Sequence, residues 1–385
     1  MDFARTEAQD EIAGLARRIL EDKVTIELLR SVDADETTGR FDRGVWTALA
    51  DAGLLGVAVP EALGGQGLGI LEQCIVLEEV GRTVAPVPVL ASIVGGMLPV
   101  AEFGSDEQRT ALVPPAVAGD LVIAAALAEP SNRWPEHPTT TATPTPTSGQ
   151  DGDGWRLDGI KTCVGAGTVA DVLLVPAALP DGGVAVFVVD VAAADPVSLR
   201  IEPQRVTDGD IEGLVTLDGV TVGPDAVLGS ADEGAAIVDW MIGRSTIGMC
   251  AQVSGIVARA LEITAAYTKE RVQFDRPIAT FQAVGQRAAD AYIDVQAVQL
   301  VVLQAAWRLS EGLPAATEVE VAKFWAAEAA HRVGHTAVHL HGGAGIDVDQ
   351  PIHRYFVAAK HLEFALGGAT DQLLRIGRSF AAARD

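Results

Sequence analysis

The hydrophobic period of this chain changes twice, and the last change limits the fold most. From "GAAIVDWMIGRSTIGMCAQVSGIVARALEITAAYTKERVQF" onward, apolar residues recur at helical spacings, and this run is long enough to be one extended helix. "FQAVGQRAADAYIDVQAVQLVVLQAAWRLSEG" predicts a second helix, and "AATEVEVAKFWAAEAAHRVGHTAVHLHGG" a third that Gly342 and Gly343 close. A helical pattern restarts after Gly367 and Gly368. Long antiparallel helices of this kind bury their stripes against one another, so residues 233–385 are expected to form a four-helix bundle.

Residues 121–232 carry a shorter period. "LVIAAALAEP", "GWRLDGIKT", "DVLLVPAAL", "GVAVFVVDV" and "GLVTLDGVTV" are apolar or alternating runs cut by Gly, Pro and Asp, which predicts a small β barrel or sandwich. "HPTTTATPTPTSGQDGDG" has little to bury and predicts an exposed loop with a short edge strand at "TTTAT". Residues 1–120 return to helical spacing in "DEIAGLARRIL", "GVWTALADAGLL" and "ILEQCIVLEEVGRTV". Between the last two, "VPEALGGQGLG" has GGxGxG spacing, but no β-branched strand introduces it, so it reads as a helix-linking loop rather than a phosphate loop. The expected class is α+β, with an N-terminal helical domain at 1–120, a β domain at 121–232 and the bundle at 233–385.

With 52 acids against 28 bases, the net charge of −24 argues against nucleic-acid binding and against adhesion to an anionic membrane. Fourteen of the 28 bases lie between Arg244 and Arg384, so a polyanionic ligand would be held by the C-terminal part. Cys74, Cys163 and Cys250 are odd in number and far apart, which fits buried thiols in a reducing cytosol. The amphipathic start "MDFARTEAQDEIAGLARRIL" has no basic region followed by an apolar core, and no run of about 20 apolar residues spans a bilayer, so a cytoplasmic protein is expected.

Chemistry-bearing residues are sparse. His331, His335 and His339 share a helical face, a spacing open to a transition metal, but no carboxylate or thiol accompanies them and packing is the expected role. There is no nucleophile elbow, Walker loop, CxxC pair or HExxH, and Ser245 has no local base. "YTKERVQFDRPIATFQAVGQRAAD" is more informative. Arg271 can grip a pyrophosphate through paired charge-assisted bonds, Phe274 can lie against a ring system, and Gln282 can bond a ribose or phosphate. In "HLHGGAGIDVDQPIHRY", Gly342 and Gly343 allow backbone N–H groups to approach a phosphate without Cβ interference.

Together these stretches resemble the acyl-CoA dehydrogenase family, whose C-terminal domain carries R-x-x-F-G-x-x-I…Q and then Q-x-x-G-G-x-G. "LLGVAVPEALGGQGLG" and "LEEVGR" are similar to its N-terminal domain, and W-x-L-x-G-x-K from Trp155 to Lys161 to its β domain. The resemblance implies FAD shared at a subunit interface, one subunit cradling the flavin and supplying a glutamate base while its neighbour reaches over. It further implies α-proton abstraction from an acyl-CoA, hydride transfer to flavin N5, and an electron-transfer flavoprotein as acceptor.

Carried over by position, Arg271, Phe274, Gln282, Gly342 and Gly343 match the reaching half, with His339 in place of Gln and Asp275 in place of Gly. The cradling half departs from the pattern. "AEPSNRWPE", residues 128–136, replaces T-E-P-G-x-G-S-D, and Cys163 and Gly165 replace the Trp and Thr that flank the flavin. The two positions that carry the family's base fall on Leu366 and Ser245, neither of which takes a proton at neutral pH. A positioned base is worth about 10²–10⁴-fold in rate, so its loss is a change of role. Glu363, Asp239 and Asp371 are the nearest substitutes. The expected role is a non-catalytic subunit that pairs with a related catalytic chain, as in the two-plus-two dehydrogenases of actinobacterial steroid side-chain degradation. The alternatives are an active homotetramer with a displaced base such as Glu363, and a flavin-free acyl-CoA binding or scaffold protein.

Overall fold

The computed structural model describes residues 3–35, 39–132, 134–145 and 154–382. The chain divides into two compact units. The first takes in residues 1–29, 69–85 and 246–385, and the second residues 30–68 and 86–245.

The elements run in the order α1 (Glu7–Lys23), α2 (Ile26–Asp33), α3 (Arg43–Asp51), α4 (Ile70–Thr83), a π-helical segment (Val89–Met97), α5 (Leu98–Phe103) and α6 (Asp106–Val117). Seven strands follow: β1 (Ile123–Ala125), β2 (Thr141–Thr145), β3 (Gly154–Val164), β4 (Val172–Ala178), β5 (Val184–Asp190), β6 (Leu199–Arg205) and β7 (Ile211–Val222). After them come α7 (Gly234–Glu270), the short hairpin β8 (Val272–Gln273) and β9 (Arg276–Pro277), α8 (Gln282–Ser310), α9 (Ala316–His341), α10 (Pro351–Phe364) and α11 (Ala369–Ala382).

In the first unit, α9 packs against α8, α10 and α11, so the long helices form a bundle and α11 follows the second glycine pair. Helix α1 is capped by Thr6, buries Ile12, Ala13, Ala16 and Leu20, and is clipped to α4 by Arg17, which donates to both Glu79 oxygens at 2.9 and 2.6 Å. Helix α7 is long and apolar enough to cross a membrane, yet 72% of its apolar window is buried within the protein, as befits a core helix. Glycines set how closely it meets α4, because a Cβ on Gly255 would stand 1.9 Å from the Glu78 carbonyl oxygen and one on Gly81 2.0 Å from that of Gln252.

In the second unit the seven-stranded sheet has the order β1-β4-β2-β3-β7-β6, with β5 added to β4. Its core is Leu157, Leu173, Val175, Phe187, Val189, Val215 and Leu217 with their neighbours. "TTTAT" does give a strand, but an interior one. β2 pairs antiparallel with β3 and, at Thr141, parallel with β4, because Ala142 is fully buried and holds the strand inside the sheet. Residues 146–153 of the expected loop lie outside the described residues. β6, "LRIEPQR", has too polar a pattern for the hydrophobic period to find, and the sheet edge on β7 is what makes it a strand. The Gly-rich "VPEALGGQGLG" forms a short 3₁₀ turn at Glu61–Leu63 and then a loop into α4.

Candidate functional site

In the first unit, α7 ends at Glu270 and Arg271 begins a tight hairpin. Phe274 and Asp275 occupy the left-handed region at φ 54° and 61°. Glycine suits such a position best and aspartate tolerates it, which accounts for Asp275 where the family pattern has Gly. Phe274 is 86% exposed with its ring edge-on to Phe281 at 6.1 Å, while the Arg276 guanidinium lies 4.2 Å over Phe281. Arg271 is exposed and has no carboxylate partner among the described residues, and Gln282 stands exposed as the first residue of α8. Arg271 and Phe274 bury little against this chain beyond the Phe274–Phe281 edge contact, so their arrangement suits a ligand outside it.

At the end of α9, His339 is exposed, Gly342 takes φ 59°, and no described residue comes within 4 Å of a Cβ built on either Gly342 or Gly343. This space admits a phosphate against the backbone, so the donor set fits the diphosphate of FAD. The ends of α7 and α9 are brought together by Tyr267 and His341, whose rings stack at 4.2 Å. Local spacing gave no signal for that pair.

The candidate base positions hold no proton acceptor. Leu366 closes α10 in a turn at φ 54°, and the Lys323 ammonium, fully buried, caps the same helix end by donating to the carbonyls of Leu362 and Glu363 at 2.7 and 3.2 Å. Burial pushes the Lys323 pKa down to about 8. Glu363 does not stand free on the face of Leu366. Its carboxylate accepts from Lys360 at 2.7 Å and meets His331 Nδ1 at 3.3 Å. Asp371 accepts from the Gly368 N–H at 3.1 Å at the head of α11, and Asp239 is exposed on α7. His335 packs edge-on to Phe356 at 5.4 Å and tilts against His331, so the histidine face is occupied by packing and by the Glu363–Lys360 pair.

In the second unit, Ser245 is buried and its Oγ has no hydrogen-bond partner among the described residues. It faces the wide π-helical turn, where a Cβ on Gly95 would lie 3.7 Å from that Oγ and one on Gly96 only 2.1 Å from the Ile123 carbonyl oxygen. "AEPSNRWPE", except Arg133, which lies outside the described residues, is organised by Glu129. That carboxylate accepts from Lys161 Nζ (2.8 Å), the Thr139 N–H (2.6 Å) and Oγ1 (2.8 Å), the Thr140 N–H (2.9 Å) and Asn132 Nδ2 (3.0 Å). Glu129 is the one charge in the apolar run "LVIAAALAEP", a signal that it has a partner though not of which one, whereas Lys161 shares its run with Arg156 and Asp158 and carries no such mark.

The register of β3 on β7 shifts between Lys161 and Val164. Thr162 N–H therefore turns to the Ala128 carbonyl at 3.0 Å, and Cys163 N–H to Gln204 Oε1 at 3.0 Å. Gln204 also accepts from the Thr162 hydroxyl at 2.9 Å, which spends on this chain a backbone donor at the position where the family pattern flanks its flavin. Cys74 and Cys250 are buried as expected, but Cys163 is exposed, because it sits at φ 50° in the irregular stretch where β3 slips on β7. Partial desolvation and Glu212 raise its thiol pKa, and Gly165 lies against Ala91, 3.1 Å from where its Cβ would be.

Comparison with known proteins accords with this geometry. The acyl-CoA dehydrogenase N-terminal-domain model matches residues 6–120 and the C-terminal-domain model residues 232–381. Acyl-CoA dehydrogenase FadE27 of Mycobacterium tuberculosis is 44% identical, with 99% of each chain covered. A chain of the crystal structure of the ChsE4-ChsE5 complex from Mycobacterium tuberculosis superposes with a TM-score of 0.91 at 44% identity, again over 99% of each chain. A chain of the Tcur3481-Tcur3483 steroid ACAD does so with a TM-score of 0.89 at 42% identity, over 98% of this chain and 99% of that one. The chain belongs to the acyl-CoA dehydrogenase family.

Proposed function

We propose that this chain is the non-catalytic subunit of a heteromeric, cytoplasmic acyl-CoA dehydrogenase, completing the FAD site of a related catalytic chain. The observation that carries the reading is the contrast between two sets of positions. Leucine and serine stand where the base belongs, at Leu366 and Ser245, while Arg271, Phe274, Gln282, His339, Gly342 and Gly343 are presented to solvent. Arg271 and the Gly342–Gly343 amides would hold the diphosphate, and Phe274 would shield the cofactor from water. Bound FAD would supply the hydride acceptor for α,β-desaturation of the acyl-CoA thioester. The proton would leave to a carboxylate of the partner, because neither Leu366 nor Ser245 takes it. Likeness to the ChsE4-ChsE5 complex and to a steroid ACAD supports pairing with a related chain and a steroid acyl-CoA as substrate. The two-plus-two assembly, the bulky side chain of the substrate and an electron-transfer flavoprotein as acceptor belong to the reading through the family resemblance.

The test is flavin absorbance and dehydrogenase activity of the chain purified alone and co-purified with a neighbouring homologue. FAD and activity only in the complex are expected. Activity in the lone chain would overturn the proposal, and colourless protein in both preparations would leave a flavin-free scaffold. The displaced-base alternative has its own test. Glu363→Gln should leave turnover of the complex within about twofold of wild type, whereas an acting base would lose about 10²–10⁴-fold. Its engagement with Lys360 and His331 is the reason.

A further inference from the structure

Two elements assigned to the diphosphate, the Arg271 hairpin and the Gly342–Gly343 turn, lie on different helices and extend past their last turns. A partly buried ring contact joins those helix ends. The Tyr267 and His341 rings stack with centroids 4.2 Å apart and planes 21° from parallel, and the Tyr267 hydroxyl donates to the His341 carbonyl at 3.4 Å. His341 is buried, its Nδ1 lies 2.8 Å from the Ala337 carbonyl oxygen and therefore carries the proton, and burial holds its pKa below the ordinary value, which keeps the ring neutral. Tyr267 stands one helical turn before Arg271 and accepts its backbone N–H at 2.8 Å, while His341 directly precedes Gly342.

We infer that Tyr267 and His341 are positioning residues, a stacked strut that fixes the Arg271 grip relative to the Gly342–Gly343 grip so that both engage one diphosphate. The inference rests on the shared-site reading. Helix ends fray readily, and two grips on one anion lose most of their joint strength if their spacing wanders by about 0.5 Å. A flat, neutral stack across the gap sets that spacing without placing a charge beside the phosphate. Neither ring is assigned a contact with the cofactor, so the effect acts through Arg271 and the glycines.

The test uses the co-purified complex, stripped of flavin and titrated with FAD by protein fluorescence. Tyr267→Leu should weaken FAD binding about tenfold, the loss of one stacked pair, while Tyr267→Phe, which keeps the stack, stays within about twofold. KM for acyl-CoA should not move, and kcat should return at saturating FAD. Thr264→Ala, which removes a buried hydroxyl one turn earlier on α7, serves as a stability control and should bind FAD normally. If Tyr267→Leu does not assemble, His341→Leu is read against the same controls. Wild-type affinity in the Leu variant, or an equal loss in Thr264→Ala at equal melting temperature, overturns the strut. Arg271→Ala separates the two claims: unaltered FAD affinity there overturns the shared site itself, whereas a loss there with none at Tyr267→Leu overturns the strut alone.

Discussion

Lys161→Met should lower the unfolding free energy by about 3–5 kcal/mol, the cost of leaving a buried carboxylate without its cation. The side chains of Lys161 and Glu129 are both 0% exposed and meet at 2.8 Å. Burial alone would raise the Glu129 pKa, but the Lys161 ammonium and the Thr139 and Thr140 amides outweigh it and hold the carboxyl below its usual range. The sign of the pH dependence follows. A carboxylate with a depressed folded pKa contributes stability that is full above its unfolded value of about 4.3 and is lost as pH falls toward the folded value. Urea unfolding at pH 7 and pH 3 measures both effects, and the Lys161→Met variant should lose the acid-sensitive increment. Adding Glu129→Gln to Lys161→Met should recover part of the loss, because a neutral amide is cheaper to bury than an unpaired charge. A penalty below about 1 kcal/mol in the single variant would mean that Glu129 is not held as an ion in the folded chain.

That pair also marks where reading along the chain stops. The 3.6-residue period locates α7, α8, α9 and α11 because each helix buries a stripe whose spacing is local. β6 escapes because its pairing to β7, and not its own composition, makes it a strand. "TTTAT" reads as an edge because its segment has little to bury, yet Ala142 is buried between β4 and β3. The same limit applies at the site. Leucine at 366 and serine at 245 are visible in the sequence, and so is the reaching motif from Arg271 to Gln282. Contacts over long separations are not. Glu363 is a plausible base by spacing until Lys360 and His331 are found on its carboxylate, and Gln204 has no sequence mark as the partner of Cys163.

Glycines with and without packing reasons should separate fold from cofactor binding. Replacing a helical Gly by Ala ordinarily stabilises by about 0.5–1 kcal/mol through reduced backbone freedom. Gly255→Ala should do the reverse and cost about 3 kcal/mol, since its Cβ would meet the Glu78 carbonyl oxygen at 1.9 Å and the Arg82 nitrogen at 2.8 Å, backbone atoms that yield only if the helices part. Gly343 has the opposite surroundings, exposed and with no described residue within 4 Å of a built Cβ. Gly343→Ala should therefore leave urea stability within about 0.5 kcal/mol of wild type. If backbone approach to a diphosphate is the reason for a glycine there, the same variant should weaken FAD retention by the co-purified complex about tenfold, because the added methyl stands where the phosphate would lie. Measured together, the two substitutions give opposite patterns: loss of stability at Gly255 and loss of flavin at Gly343. Unchanged stability and unchanged flavin in Gly343→Ala would remove the Gly-Gly turn from the cofactor site.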